Sequence, residues 1–99
     1  MFIAILDLRT TAADRELALA QLDSEKDEIR SMPGNLDFRV YADRDDTEAV
    51  TVLHEWADEG SFAGYLASSA FGRSGAVLRP LMTAHPVSRR FRAALLETV

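Results

Sequence analysis

Residues Asn35–Trp56 read NLDFRVYADRDDTEAVTVLHEW and predict an antiparallel β-hairpin. In both halves apolar and polar side chains alternate, which is the pattern of half-buried strands. The charged run Asp43–Asp46 separates the halves, and short Asp side chains favour a turn because they bond to nearby backbone groups. Successive side chains of a strand point to opposite faces, so His54 and Trp56 should leave the same face of the second strand.

Two elements are predicted before this hairpin. Residues Phe2–Arg9 form a strand whose first half is apolar on both faces, as in a central strand. Thr10-Thr11 offers an N-cap for a helix from about Ala12 to Met32 with one apolar stripe. Pro33-Gly34 then ends the helix and turns the chain into the hairpin.

Three elements are predicted after it. Asp58 caps a short second helix, and a further helical piece follows in the region of Phe71–Met82, interrupted by two glycines and Pro80. Residues Val87–Val99 resemble a last strand, although Arg92–Glu97 is equally compatible with a helix.

Composition limits the classes of function. A chain of 99 residues is expected to form one domain, residues 1–99, with a thin core. The net charge of −5 argues against nucleic acid and against an anionic membrane as partners. The chain has no cysteine, and neither a signal peptide nor a membrane-spanning run is visible, so we expect a cytoplasmic protein.

The predicted order of elements indicates the fold. Strand, helix, strand, strand, helix, helical turn and strand is the split βαβ pattern of an α+β, ferredoxin-like domain with a four-stranded antiparallel sheet. Helices on one face of the sheet leave the other face bare, and that face carries Ile3, Ile5 and Leu53. Because a bare apolar face is unfavourable in water, we expect a homodimer with sheet against sheet.

Three stretches of the chain resemble the antibiotic biosynthesis monooxygenase family. They are Pro33–Tyr41 with the Asp-rich turn, His54–Asp58 (HEWAD) and Tyr65–Phe71 (YLASSAF). The resemblance implies a dimeric α+β barrel and a pocket between the helices and the sheet of each subunit, bordered by Trp56. Many members are cofactor-independent oxygenases of quinol-like or polycyclic aromatic substrates, whereas others degrade haem or isomerise small molecules.

Four positions depart from patterns found in that family. Tyr65 stands where many members have a histidine. Haem-degrading members have an asparagine near Leu6 and a histidine near Gly75, so the resemblance does not imply haem degradation here. Some polyketide-modifying oxygenases have an asparagine at the position of Val52.

Candidate site residues follow from strand direction and chemistry together with the resemblance. His54 is the candidate base for a phenolic proton, and Tyr65 is a candidate hydrogen-bond donor from the facing helix. Trp56 could stack on an aromatic substrate. The remaining candidates for the pocket wall are Phe62, Phe38, Phe71 and Leu78.

Each candidate also has a purely structural explanation. Trp56 could simply pack the second helix, His54 could bond a backbone carbonyl at the core edge, and Tyr65 could be half-buried with its hydroxyl in water. Arg73 and Arg79 could bind an acidic substituent or remain solvated.

The resemblance, together with these residues, implies a small monooxygenase that needs no cofactor, or a close relative of one. Its partners would be an aromatic substrate and dioxygen. No Gly-rich phosphate loop and no metal-ligand spacing occurs, so a bound flavin, nicotinamide or metal is not expected. The alternatives are a non-catalytic binding module for a small hydrophobic molecule, and a non-oxidative isomerase or cyclase on the same scaffold.

Overall fold

Four strands and three α-helices make up the computed structural model, which describes residues 1–99. In chain order the elements are β1 (Phe2–Arg9), α1 (Arg15–Arg30), β2 (Asn35–Ala42), β3 (Ala49–Trp56), α2 (Glu59–Leu66), α3 (Ser69–Leu78), a 3-10 turn (Arg79–Leu81) and β4 (Val87–Arg92). The strands form one antiparallel sheet in the order β2-β3-β1-β4. This is the predicted α+β, ferredoxin-like fold.

The hairpin of β2 and β3 forms where the alternation predicts it. Val40 pairs with Val52 and Phe38 with His54. The side chain of Asp43 accepts hydrogen bonds from the backbone N–H groups of two later turn residues, at 2.8 and 3.0 Å. Every second residue of β3 is buried, and His54 and Trp56 are on this buried face, as the strand period requires.

Gly34 lies in the tight turn that connects α1 to the hairpin. Its φ of +78° lies in the left-handed region, where a side chain is strained. Its carbonyl accepts a 2.7 Å hydrogen bond from the N–H of Ala57, just after β3. A Cβ atom on Gly34 would be 2.0 Å from Oγ of Ser61, so α2 packs directly against this turn.

The core lies between the sheet and the helices. Helix α1 contributes Ala18, Leu22 and Ile29 to it. The same helix also buries Glu25, which binds the guanidinium of Arg73 on α3 through two hydrogen bonds of 2.9 Å. This ion pair, which Glu28 joins, fixes α3 against α1.

Both long helices are found, with differences in detail from the prediction. Helix α1 begins at Arg15 rather than Ala12, because the segment before it forms a turn in which the Thr11 side chain accepts from the N–H of Asp14 at 3.2 Å. It ends at Arg30, two residues before Met32. The predicted interruption at the two glycines is wrong: α3 runs through both, because Ser68 caps its start and its buried face packs on the core. The predicted interruption at Pro80 is found, since α3 ends at Leu78 and a 3-10 turn follows.

The last strand is also shorter than predicted. Strand β4 ends at Arg92, and residues 93–99 form neither strand nor helix. Strand β4 stops here because its partner strand, β1, has no further residue to pair with. Arg92 pairs with Phe2, and the N–H of Ala93 makes a last bond to the carbonyl of Met1, so no partner remains for the residues beyond.

The face of the sheet away from the helices is uncovered. Ile5 pairs with Leu53 and Ile3 with Phe91, so these apolar side chains share that face. Phe91 is 44% exposed. None of the α-helices has both the length and the hydropathy that crossing a bilayer requires.

Candidate functional site

A cavity of about 820 Å³ lies between the helix-covered face of the sheet and helices α2 and α3. Most of its wall is apolar or aromatic. This part consists of Leu6, Leu22, Phe38, Val52, Phe62, Tyr65, Leu66, Phe71, Leu78 and Met82. Its polar wall consists of His54, Ser74, Arg79, Thr83, His85, Ser88 and Arg90.

The composition of β4 explains why this space is not filled by the core. On the helix side of the sheet, β4 presents Ser88, Arg90 and Arg92, opposite Leu6, Ala4 and Phe2 of β1. Neither a short hydroxyl nor a charged guanidinium can serve as a core side chain in this position. Strand β4 at the edge of the sheet therefore places no large apolar side chain in the space that faces α3.

His54 occupies the centre of an aromatic cluster at the cavity wall. Its ring centroid lies 5.5 Å from both Phe38 and Tyr65 and 5.6 Å from Phe62. The side chain is only 4% exposed. Burial, together with the charge of Arg90, lowers the pKa of His54 to about 4, so the imidazole is neutral at neutral pH.

A hydrogen bond orients this imidazole. The indole Nε1–H of Trp56 donates to Nδ1 of His54 at 2.9 Å. Trp56 is completely buried and does not line the cavity; it packs behind His54, Phe62 and Tyr65. The indole has no surface on the cavity, so the structure places Trp56 behind the wall and not, as predicted, against a substrate.

Tyr65 reaches the same cavity from α2. Its ring stacks on Trp56, with centroids 5.3 Å apart and planes at 27°. Burial, and secondly the charge of Glu25, raises the pKa of Tyr65 to about 12, so its hydroxyl keeps its proton. The hydroxyl is therefore suited to hydrogen bonding and not to taking a proton.

The structure places the other predicted wall residues along the same cavity as His54. Phe62, Phe38, Phe71 and Leu78 all line the cavity. Of the two arginines considered from the sequence, Arg79 lines the cavity and Arg73 forms the ion pair with Glu25. What these residues do to a ligand remains a prediction.

Several polar residues of the wall were not predicted, and Ser74 and Arg90 are the two that bear most directly on its chemistry and charge. Ser74 on α3 is 5% exposed, lines the cavity, and its Oγ has no hydrogen-bond partner. Arg90 on β4 lies with its guanidinium carbon 4.9 Å above the ring of Phe62, a cation–π contact. The alternation of Ser88 and Arg90 along β4 is the signal that could have placed Arg90 on the helix side.

The charge of the cavity differs from that of the chain. The chain carries a net charge of −5, yet the cavity wall contains two arginines, two histidines and no carboxylate. No three His, Cys, Asp or Glu side chains are close enough together to form a metal site. The wall thus offers hydrogen-bond donors within an apolar enclosure.

The fold and the site together define a class of protein. It is the ferredoxin-like α+β domain with an aromatic cavity between the sheet and the helices. A model of the antibiotic biosynthesis monooxygenase family matches residues 1–75, three quarters of the chain. The chain therefore belongs to the antibiotic biosynthesis monooxygenase family.

Solved structures agree with this assignment at the level of the fold. A Nitrosomonas europaea protein assigned to the antibiotic biosynthesis monooxygenases has 12% identity and a TM-score of 0.91, over 96% of this chain and 100% of that one. A Deinococcus radiodurans protein with the same assignment has 18% identity and a TM-score of 0.90, over 100% and 98% of the chains. A conserved protein from Methanosarcina mazei has 20% identity and a TM-score of 0.88, over 94% and 92%. No curated protein matches this chain.

Proposed function

We propose that this protein is a cofactor-independent monooxygenase that acts on a quinol-like or polycyclic aromatic molecule. The observation that carries the proposal is the cavity of about 820 Å³ with aromatic rings around a neutral, buried imidazole. Ligand pockets of about 300–1,000 Å³ hold small organic molecules, and their walls are mostly apolar with a few polar groups. A molecule of two to four fused rings suits this enclosure.

The chemistry needs only what such a substrate and dioxygen supply. A hydroxyanthrone releases its hydroxyl or enol proton to solvent water, and the electron-rich anion reduces dioxygen and forms a C–O bond at the ring methylene carbon. A proton from water then converts the peroxide anion into the hydroperoxide. Loss of water from the resulting peroxide leaves a carbonyl, so that the CH₂ group and O₂ become C=O and H₂O. One oxygen atom enters the product, the other becomes water, and the substrate provides all four electrons.

The protein's part in this reaction is desolvation, orientation and stabilisation of the anion. Phe38, Phe62 and Phe71 would exclude water from the rings and hold them in place. Arg79 and Arg90 supply positive charge near the substrate oxygen.

Oxygen uptake with a panel of anthrones and quinols tests the proposal. Wild-type protein should accelerate uptake and yield one quinone per dioxygen, whereas under nitrogen no product should form. A matched variant, Phe71→Trp, narrows the cavity and should slow the reaction. Tight binding without any product would instead identify a binding module, and conversion that persists under nitrogen would identify an isomerase or cyclase.

We also propose that the protein is a homodimer. The uncovered sheet face carries Ile3, Ile5, Leu53 and Phe91 in adjacent register. Contiguous apolar surface of this kind is typical of an interaction site, and a symmetric pair of sheets would cover it.

A further inference from the structure

The bond between Trp56 and His54 decides which nitrogen of the imidazole carries the proton. A neutral imidazole has one N–H donor and one acceptor nitrogen. Nδ1 is the acceptor here, because the indole Nε1–H of Trp56 points at it from 2.9 Å. The proton of neutral His54 therefore sits on Nε2.

This tautomer changes what His54 can do for a bound molecule. Its ring lines the cavity, and Nε2 is the nitrogen that Trp56 does not occupy. An Nε2 that already bears hydrogen cannot accept the proton of a phenol. To act as the base predicted from the sequence, His54 would have to move its proton to Nδ1, where it would face the N–H of Trp56.

Further donors lie in the wall, and the hydroxyl groups of Thr83 and Ser88 and the imidazole of His85 can both donate and accept. The hydroxyl of Ser74 is buried without a partner, and rotation about its Cα–Cβ bond can direct it to a ligand. Arg79 and Arg90 bring positive charge, and no Asp or Glu reaches the cavity. A site with several donors, positive charge and no carboxylate fits an oxygen that carries negative charge.

We propose that the cavity binds an aromatic phenol or enol in its ionised form, with Nε2–H of His54 and the hydroxyl of Ser74 as hydrogen-bond donors to the charged oxygen. Trp56 is a positioning residue, since it fixes the tautomer without touching the ligand. The proton of the ligand goes to water at the exposed mouth formed by Ala84, His85 and Pro86. This inference rests on the proposed function only for the aromatic nature of the ligand.

Proton release on binding separates a donor from a base. The probe is 4-nitro-1-naphthol, whose ionisation is visible in its absorption, titrated under nitrogen below its own pKa in weakly buffered solution with a pH indicator. If His54 donates, the probe binds as the anion and about one proton per site enters the solution. An ionised bound probe without proton release means that the protein took the proton, and it overturns the proposal, as does the absence of binding.

Matched variants identify the donors. His54→Ala and Ser74→Ala should each weaken binding of the anion about tenfold, as expected for a lost hydrogen bond to a charged group. His54→Gln keeps an N–H₂ group at the same reach and should restore part of the affinity. If His54→Ala binds the anion as tightly as wild type, the ring does not act as a donor.

The positioning role of Trp56 has its own readout. In ¹⁵N-histidine-labelled wild-type protein, the NMR spectrum should show His54 protonated at Nε2 and unprotonated at Nδ1. Trp56→Phe removes the indole donor and should give a mixture of the two tautomers, while exposed His85 serves as the internal reference. A wild-type spectrum with the proton on Nδ1 overturns the inference, whatever the oxygen assay shows. Proton release on probe binding, without any oxygen turnover, would support the inference and refute the proposed oxygenase function.

Discussion

The Nε1–H of Trp56 donates to Nδ1 of His54 in an interior where both rings are almost fully removed from water. Burial lowers the pKa of His54 to about 4, whereas an unfolded chain holds a histidine with a pKa of about 6.5. Between these values the unfolded state binds a proton that the folded state does not. Because of His54, the free energy of unfolding is therefore highest above about pH 6.5. It falls by about 3 kcal/mol in total as the pH is lowered towards 4.

Urea unfolding of three proteins at pH 7 and pH 4.5 measures this effect. His54→Gln should remove much of the acid-dependent loss, because Gln does not titrate. His85→Gln changes the only other histidine, which is exposed, and should behave like wild type. Equal acid sensitivity in all three proteins would show that His54 is not buried as a neutral group.

Gly34→Ala should lower the free energy of unfolding by at least about 1–2 kcal/mol. A non-glycine residue is strained at its positive φ, and the new Cβ would meet the side chain of Ser61 at 2.0 and 2.5 Å. Urea unfolding measures the loss. The control is Gly72→Ala in α3, where nothing lies within 4 Å of a Cβ, and it should stabilise by about 0.5–1 kcal/mol. A neutral Gly34→Ala would contradict the tight turn.

Leu53→Lys should dissociate the proposed homodimer, because it places a charge at the centre of the uncovered sheet face. Light scattering after size-exclusion chromatography should give twice the chain mass for wild type and the chain mass for the variant. Leu17→Lys on the exposed side of α1 is the control and should remain dimeric. A monomeric wild type would refute the interface.

Ser74→Ala should separate stability from binding. Its buried hydroxyl lacks a partner in the free protein, so its removal should leave the free energy of unfolding unchanged or raise it by up to about 1 kcal/mol. Binding of the nitronaphthol anion should weaken in the same variant. A marked loss of stability would mean that the hydroxyl serves the fold instead of a ligand.

Much of the fold could be predicted from local patterns. The alternation in β2 and β3 placed His54 and Trp56 on one buried face, because strand direction follows directly from sequence order. The extent of β4 could not be predicted this way. The apolar pattern of residues 87–99 continues past Arg92, but a strand also needs a partner, and β1 ends there.

The site was predictable in its aromatic part and not in its polar part. The residue type alone predicts that large aromatic side chains such as Phe38 and Phe62 lie in a core or in a pocket wall. The positions of Ser74 and Arg90 depend on which elements face the cavity: these are α3, which packs on α1, and β4 at the edge of the sheet. The direction of the Trp56–His54 hydrogen bond likewise depends on ring orientations that no spacing encodes.

A crystal structure of the protein with 1,8-dihydroxyanthraquinone, an unreactive relative of the proposed substrates, tests directly whether the cavity is the ligand site. We expect the rings between Phe38, Phe71 and Leu78, with a ligand oxygen about 2.7–3.2 Å from Nε2 of His54. A ligand bound only on the uncovered sheet face, or a cavity that stays free of it at saturating concentration, would refute this site.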